Sequence, residues 1–265
     1  MPSFIDPGAG LNQLDFSQDS DFIFDSIFTY RPDDTSQENG TSIASGPGSD
    51  TTELGPIVRL YGSDRDILDA YYVFIHPYFP VLPPPVSTPV WDRPLAGHME
   101  APSPAGDFEP SSPISLAIST ILALVPHPDE VDPLNSVSVL YRRKFAHSFA
   151  ESTMESIEIE SEILDSDSSP SRALTRNSPS CRRQPLHPKV PVELESILAL
   201  CVMCIYEYAQ RGNLSKMRSR AGQALVLAMD KSLHSQGDSE DDFAEAKRRA
   251  WWMCVSINRL QQIFR

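Results

Sequence analysis

The residues with the clearest chemical potential are two cysteines that have the spacing of a redox pair, in Cys201-Val202-Met203-Cys204. A C-x-x-C pair can exchange a disulfide, or it can supply half of a zinc site. A structural zinc needs four ligands, and the other two cysteines, Cys181 and Cys254, show no matching spacing. Because the pair stands in an apolar stretch with helical spacing, we predict that both thiols are small buried side chains.

The six histidines are scattered, and His76, His127 and His187 each precede a proline. Proline fixes φ and removes a donor N–H, so a His-Pro pair favours a turn position over a general base. The sequence contains no G-x-S-x-G, no H-E-x-x-H and no glycine-rich phosphate loop. We therefore predict that the chain is not an enzyme, with no catalytic residue and no bound metal or cofactor.

The most distinctive short motif is Arg248-Arg249-Ala250-Trp251-Trp252. Adjacent residues of a helix point about 100° apart, so we expect at least one tryptophan in the core. The arginines can pair with glutamates or stack on an aromatic ring. A nucleic-acid site would require a larger basic cluster than this motif provides.

The predicted fold positions these residues on helices. The first two predicted helices begin at recognisable N-terminal capping signals. Ser63 and Asp66 form an S-x-x-D start for a helix that ends by His76-Pro77. Ser112-Pro113 starts a helix that is apolar nearly all round to Val125, which predicts burial on every side. A long helix follows at 136–161. We expect its inward stripe to consist of Phe145, Phe149, Ile157 and Leu164. We expect its solvent face to be basic near the start of the helix, with Arg142, Arg143 and Lys144.

Three more helical segments follow at 192–210, 214–233 and from 239 onwards. Gly212-Asn213 marks the stop between the first two, and the second carries alanines at Ala221, Ala224 and Ala228 that allow close helix approach. No strand-period pattern of any length occurs. The fold class is therefore predicted to be all-α, an irregular bundle of about five to six helices in one domain, 57–265.

The connectors between helices are rich in proline, of which the chain has 24. Eleven lie between Pro77 and Pro113, and we predict flexible loops at 84–110 and 166–191. The second loop is basic, which is typical of a soluble linker or a weak nuclear-import signal. The net charge of −14 disfavours coating of nucleic acid or an anionic membrane. With no apolar run long enough for a span and no basic or apolar start, we expect an intracellular, soluble protein.

Residues 1–56 are acidic and rich in Gly, Ser, Thr, Asn and Pro, which predicts disorder. Between Leu14 and Phe28, aspartates alternate with aromatic and aliphatic residues. This composition is typical of a disordered activation segment that offers its side chains to a partner groove. The alternatives are a short edge strand or a tail that docks on its own domain. The candidate contact residues are Phe16, Phe22, Ile23, Phe24, Ile27 and Phe28.

Several blocks, in order, resemble the regulatory region of fungal-specific transcription factors, the zinc-cluster regulators that include the xylanolytic activators. The likeness covers residues 60–255. It rests on 68–74 with the corner His76-Pro77-Tyr78-Phe79-Pro80, on 115–118, on 194–208, on 221–234, and on 245–252 with Arg248, Arg249, Trp251 and Trp252. In that family the helical region restrains or exposes activation segments and contacts other proteins.

The resemblance implies a nuclear role in transcription, with coactivators or other regulators, and a full-length relative, as partners. The family reads DNA through six cysteines that bind two zincs, and this chain has no cysteine before Cys181. We therefore expect no specific DNA binding and no zinc in this chain. The family's helical region also continues past the Trp-Trp helix, so the chain resembles a partial domain. The alternatives are a truncated paralogue that sequesters coactivators or a full-length relative, and a fragment without function.

Overall fold

The computed structural model describes residues 56–96, 108–167, 183–235 and 241–263. These residues contain six α-helices and no β-strand, which confirms the all-α prediction for this part of the chain. The helices are α1 (Asp64–Phe74), α2 (Pro113–Leu122), α3 (Ser136–Asp167), α4 (Val192–Ile205), α5 (Leu214–Asp230) and α6 (Ala244–Ile263). A π-helical segment, Tyr206–Gln210, extends α4, and a 3-10 turn, Leu233–Ser235, follows α5.

Side-chain caps fix three of the helix starts. The Ser63 hydroxyl accepts the Asp66 N–H at 3.1 Å, and Ser112 accepts the Ser115 N–H at 3.0 Å. Asn213 caps α5 in the same way by accepting the Lys216 N–H at 2.8 Å. Each cap satisfies one of the backbone donors that a helix leaves open at its first turn. The sequence signals at Ser63 and Ser112 therefore mark the true boundaries, and Gly212, with φ of 63°, makes the turn before Asn213.

The core forms where α2 and α4 pack against each other and against their neighbours. Both helices lack a polar face: in α4 every residue from Ile197 to Cys204 is buried. The predicted alanines of α5 are almost fully buried, and they face α4 and α6, which itself presents Ala246 and Ala250. Small side chains let these backbones approach closely, so the core around α5 depends on close helix packing as well as on large apolar residues.

The inward stripe of α3 agrees with the predicted one at Ile157 and differs from it at Phe145 and Phe149, whereas Leu164 lies outside the side chains that the structure describes. Its buried residues are Ser138, Arg142, Ala146, Ala150, Thr153 and Ile157. Phe145 and Phe149 lie half-buried beside this stripe, because the small residues bring the helix close to α2. The prediction that Arg142 lies on the solvent face is wrong. Its guanidinium donates to Glu130 Oε2 at 2.5 Å and to the Pro133 carbonyl at 2.6 Å, and this pairing offsets the cost of burying the charge.

Both proline-rich connectors have described parts that pack on the core. In the first, Asp92 pairs with the buried Arg59, and the Leu95 N–H donates to the Leu60 carbonyl at 2.8 Å. In the second, which was predicted to be a flexible loop, His187 and Val190 are fully buried. Part of this connector is therefore packed on the core, since Leu186, His187 and Val190 are buried and Arg183 forms ion pairs with two helices. The rest of both predicted loops lies outside the described residues. The predicted boundary at 56/57 coincides with the first described residue and is not tested.

Candidate functional site

The predicted His-Pro-x-Phe-Pro corner is organised by two buried tyrosines of α1. The Tyr71 hydroxyl lies 3.1 Å from His76 Nδ1 and 3.3 Å from the Phe79 carbonyl, and it accepts the Leu82 N–H at 3.1 Å. The neighbouring Tyr72 hydroxyl donates to the Pro83 carbonyl at 2.5 Å. Two adjacent tyrosine hydroxyls therefore satisfy backbone groups of a segment in which the prolines provide no backbone donor.

Arg249 of α6 reaches the same corner. Its Nη1 donates to the Pro80 carbonyl at 3.3 Å, and its Nε donates to Glu245 Oε1 at 2.9 Å. Arg248 also lies near Glu245, at 3.6 Å, and is half exposed. The structure therefore joins two of the sequence-predicted groups, the corner and the Arg-Arg-Ala-Trp-Trp helix, although they are 169 residues apart. We call the corner (residues 76–82), Tyr71, Tyr72 and Arg249 the corner–helix junction.

Burial favours the neutral forms of three rings of the junction, those of His76, Tyr71 and Tyr72. Burial, with a smaller contribution from the Arg249 charge, lowers the pKa of His76. Burial also raises the pKa of Tyr71 and of Tyr72 well above the usual range. Because the His76 ring packs at 5.0 Å from the Tyr72 ring and 5.5 Å from the Tyr71 ring, the cluster is a packed aromatic corner. These groups resist charging near neutral pH, and their geometry suits a structural contact.

The two tryptophans of α6 have different environments, as the helical angle predicts. Trp251 is half-buried, packs against the core and lies 5.8 Å from the His234 ring, centroid to centroid. Trp252 is 59% exposed, and so is Tyr78 of the corner, at 88%. The corner's other members, Phe79 and Pro80, are half-buried, whereas Pro77 is exposed. In the corner, Phe79 packs on the core and Tyr78 is exposed. In the tryptophan motif, Trp251 packs on the core and Trp252 is exposed.

All three His-Pro pairs lie in turns, as predicted. His127 Nδ1 accepts the N–H of Asp129, and His187 Nδ1 accepts the N–H of Lys189, both at 3.1 Å. The imidazole thus satisfies the backbone donor that follows each proline. Burial lowers the pKa of His187, which keeps the ring in the neutral form that this hydrogen bond needs.

The cysteines of the C-x-x-C motif are core residues, as predicted. Cys201 and Cys204 are almost fully buried, and Cys201 Sγ lies 3.8 Å from Sγ of the buried Cys254. Burial raises the pKa of Cys204 to about 12, so its thiolate is scarce at neutral pH. In the described ranges, no three His, Cys, Asp or Glu side chains come together as metal ligands.

An ion-pair network at the end of the second connector, in which Glu195 is buried and Arg183 and Glu160 are half-buried, was not predicted from the sequence. The Arg183 guanidinium pairs with Glu160 of α3 and with Glu195 of α4, which also accepts the Leu186 N–H at 2.7 Å. Ser196 adds a hydrogen bond to Glu160 Oε2 at 2.6 Å. Burial raises the pKa of Glu195 to about 7, against the opposing effects of Arg183 and the Leu186 N–H. No local motif marks this network, because its three charged residues come from distant segments.

The candidate activation residues, from Phe16 to Phe28, lie outside the described residues. No family model, curated protein or solved structure matches this chain. Among the helices that the structure describes, none has the length and apolar character of a membrane span. The resemblance to fungal transcription factors therefore stays a prediction.

Proposed function

We propose that this chain is a regulator of transcription that acts in the nucleus through protein–protein contacts, without a DNA-reading module of its own. The observation that supports this most is the Arg249–Pro80 contact, because it joins two blocks on which the family resemblance rests. The described helices α1, α2, α4, α5 and α6 also follow the order of the resembling blocks.

The exposed aromatic side chains support a role in binding other proteins. Tyr78 lies in the corner and Trp252 on α6, with exposed fractions of 88% and 59%. Aromatic residues are enriched in protein interfaces, where tyrosine and tryptophan often supply much of the binding energy. Holding them on an ordered corner and helix reduces the entropy that a partner has to offset on binding.

The acidic balance of the chain supports contacts with proteins over direct contacts with DNA. Phosphate neutralisation supplies most of the non-specific affinity for DNA, and a net charge of −14 opposes it. The acidic segment that includes Phe22, Phe24 and Phe28 is the part that we assign to coactivator binding.

A reporter assay tests this function. The full chain, and residues 1–56 alone, are fused to an unrelated DNA-binding domain and assayed on a matching promoter in yeast. We expect residues 1–56 to activate the reporter and the triple change Phe22→Ala, Phe24→Ala, Phe28→Ala to abolish that activity. We also expect Trp252→Ala to change the output of the full chain, while Trp91→Ala, an equally exposed control, does not. A reporter that responds to neither fusion contradicts the proposal.

A further inference from the structure

Four apolar side chains are exposed around the start of α3. Val131 and Leu134, in the segment before the helix, are 85% and 86% exposed, and Val137 and Tyr141, on its first turns, are 61% and 36% exposed. Val131 and Leu134 are the most exposed aliphatic residues in the part of the chain that the structure describes. We call these four residues the α3 patch. Exposed apolar side chains that are grouped in this way mark protein interaction sites more often than scattered ones do.

The helical half of the α3 patch lies away from the core. The helix packs on α2 and α4 through its buried stripe, which includes Ser138, Arg142 and Ala146. Because successive residues of a helix are rotated by about 100°, Val137 and Tyr141 point away from that stripe. Both side chains therefore face solvent in a single copy of the chain.

Hydrogen bonds fix the segment that carries the first half of the patch. The buried Arg142 guanidinium donates to Glu130 Oε2 at 2.5 Å and to the Pro133 carbonyl at 2.6 Å. The Asn135 N–H closes a turn by donating to the Asp132 carbonyl at 3.3 Å. Because this segment is already ordered, a partner that covers the patch has to offset little additional conformational entropy.

Charges of opposite sign lie at the two ends of the α3 patch. Asp129 and Asp132 are exposed at its beginning, and Arg143 and Lys144 are exposed at its end. Lys144 follows Tyr141 by three residues, so the two side chains share a face of the helix. A two-fold rotation brings the acidic end of one copy against the basic end of another, which is the self-complementary arrangement of an isologous interface.

The occupant that fits this order of charges is a second copy of the chain. We propose that two copies form a two-fold symmetric dimer through the α3 patch, with the two segments antiparallel. Val137 then lies near the two-fold axis. Leu134 of each copy packs on Tyr141 of the other copy. Asp132 of each copy faces Lys144 of the other copy.

This dimer goes beyond the proposed function, which the reporter assay tests separately. The patch is small, and interfaces below about 1,200 Å² usually belong to weak, reversible complexes. Sedimentation equilibrium of the full chain measures the association, and we expect mainly monomer at about 1 μM and mainly dimer at about 100 μM. A chain that is monomeric throughout this range, or that forms only larger oligomers, overturns the proposal.

Charge reversal tests the antiparallel pairing. Asp132→Lys and Lys144→Glu each place like charges at both ends of the interface, so we expect each to weaken dimerisation at least tenfold. An equimolar mixture of the two variants restores opposite charges at both ends. We therefore expect the mixture to dimerise at least tenfold more strongly than either variant alone. A mixture that associates no more strongly than its components overturns the proposal.

Apolar substitutions test the patch itself. We expect the double change Val131→Gln, Val137→Gln to weaken dimerisation at least tenfold, because it removes apolar area from the interface. The matched control, Val86→Gln, Val226→Gln, makes the same change at valines that are 62% and 57% exposed elsewhere and should leave dimerisation unchanged. Circular dichroism checks that each variant folds, and the charge-reversal mixture carries the test if a valine variant does not. Equal effects of the two double changes overturn the assignment of the interface to the α3 patch.

Discussion

Arg249 in the last helix donates a hydrogen bond to the carbonyl oxygen of Pro80, 169 residues earlier, at 3.3 Å. The contact connects α6 to the corner that ends α1, and Glu245 orients the same guanidinium from one helical turn away. Two segments with proline-rich connectors between them are thereby held by one long side chain.

Loss of this contact has a measurable cost in stability. We expect Arg249→Met to lower the free energy of unfolding by about 1 kcal/mol, because the Pro80 carbonyl and Glu245 Oε1 both lose their guanidinium partner. Arg248→Met is the matched control, since Arg248 is half exposed and pairs with Glu245 at only 3.6 Å. Urea denaturation measures both changes. Equal losses in the two variants would show that the Pro80 contact contributes nothing.

The Tyr71 hydroxyl is expected to contribute to the free energy of unfolding through its hydrogen bonds in the corner–helix junction. Tyr71→Phe leaves the buried Leu82 N–H without an acceptor, so we expect a loss of about 1–3 kcal/mol in the free energy of unfolding. Tyr78→Phe, which removes a hydroxyl from an 88% exposed residue, is the control and should change stability by less than about 0.5 kcal/mol. Chemical denaturation followed by tryptophan fluorescence compares the two. A Tyr71→Phe protein as stable as the control contradicts the assigned role.

Glu195 makes stability depend on pH. Its pKa is raised from the model-compound value of 4.5 to about 7 in the folded chain. Between those values the folded state binds more protons than the unfolded state, so the contribution of this group is present at low pH and is lost as the pH rises towards 7. In that window the free energy of unfolding falls by up to about 1.4 kcal/mol per pH unit from this group.

Glu195→Gln removes this titration and retains an acceptor for the Leu186 N–H. We therefore expect the stability difference between the variant and the parent to grow in favour of the variant from pH 5 to pH 8. Other titrating groups, His76 and His187 included, are common to both proteins and cancel in the difference. Denaturant midpoints at four pH values measure it, and a difference independent of pH would rule out a raised pKa at Glu195.

The three described cysteines should be unreactive in the folded protein. Cys201, Cys204 and Cys254 are buried at 0–1% exposure, which shields their sulfur atoms from the reagent, and the raised pKa values of the Cys201 and Cys204 thiols keep these two protonated. We expect iodoacetamide to modify them at least a hundredfold more slowly in the native protein than in urea, as followed by mass spectrometry of the peptides. Fast native modification of Cys201 or Cys204 would instead support the redox interpretation of the C-x-x-C motif.

Local sequence was sufficient to predict the helices and several of their boundaries, but not the π-helical segment Tyr206–Gln210. The caps at Ser63 and Ser112, the stop at Gly212 and the alanine spacing of α5 are decided by residues within one or two helical turns of each other. The burial of the C-x-x-C thiols and of one tryptophan followed from the same periodicity. Such features are readable because their physical causes, capping hydrogen bonds and apolar faces, are local.

Tertiary structure alone decided which charges are buried. The sequence pattern predicted Arg142 on the solvent face, but in the folded chain its guanidinium donates hydrogen bonds to Glu130 and to the Pro133 carbonyl. Arg183 and Glu195 meet across a connector. A charged side chain has no local signal for burial, because the free energy that permits burial comes from partners that are distant in sequence. The sequence by itself therefore determined a helical chain and the apolar faces of most of its helices, whereas the assembled fold decided which charged side chains are buried and with which partners.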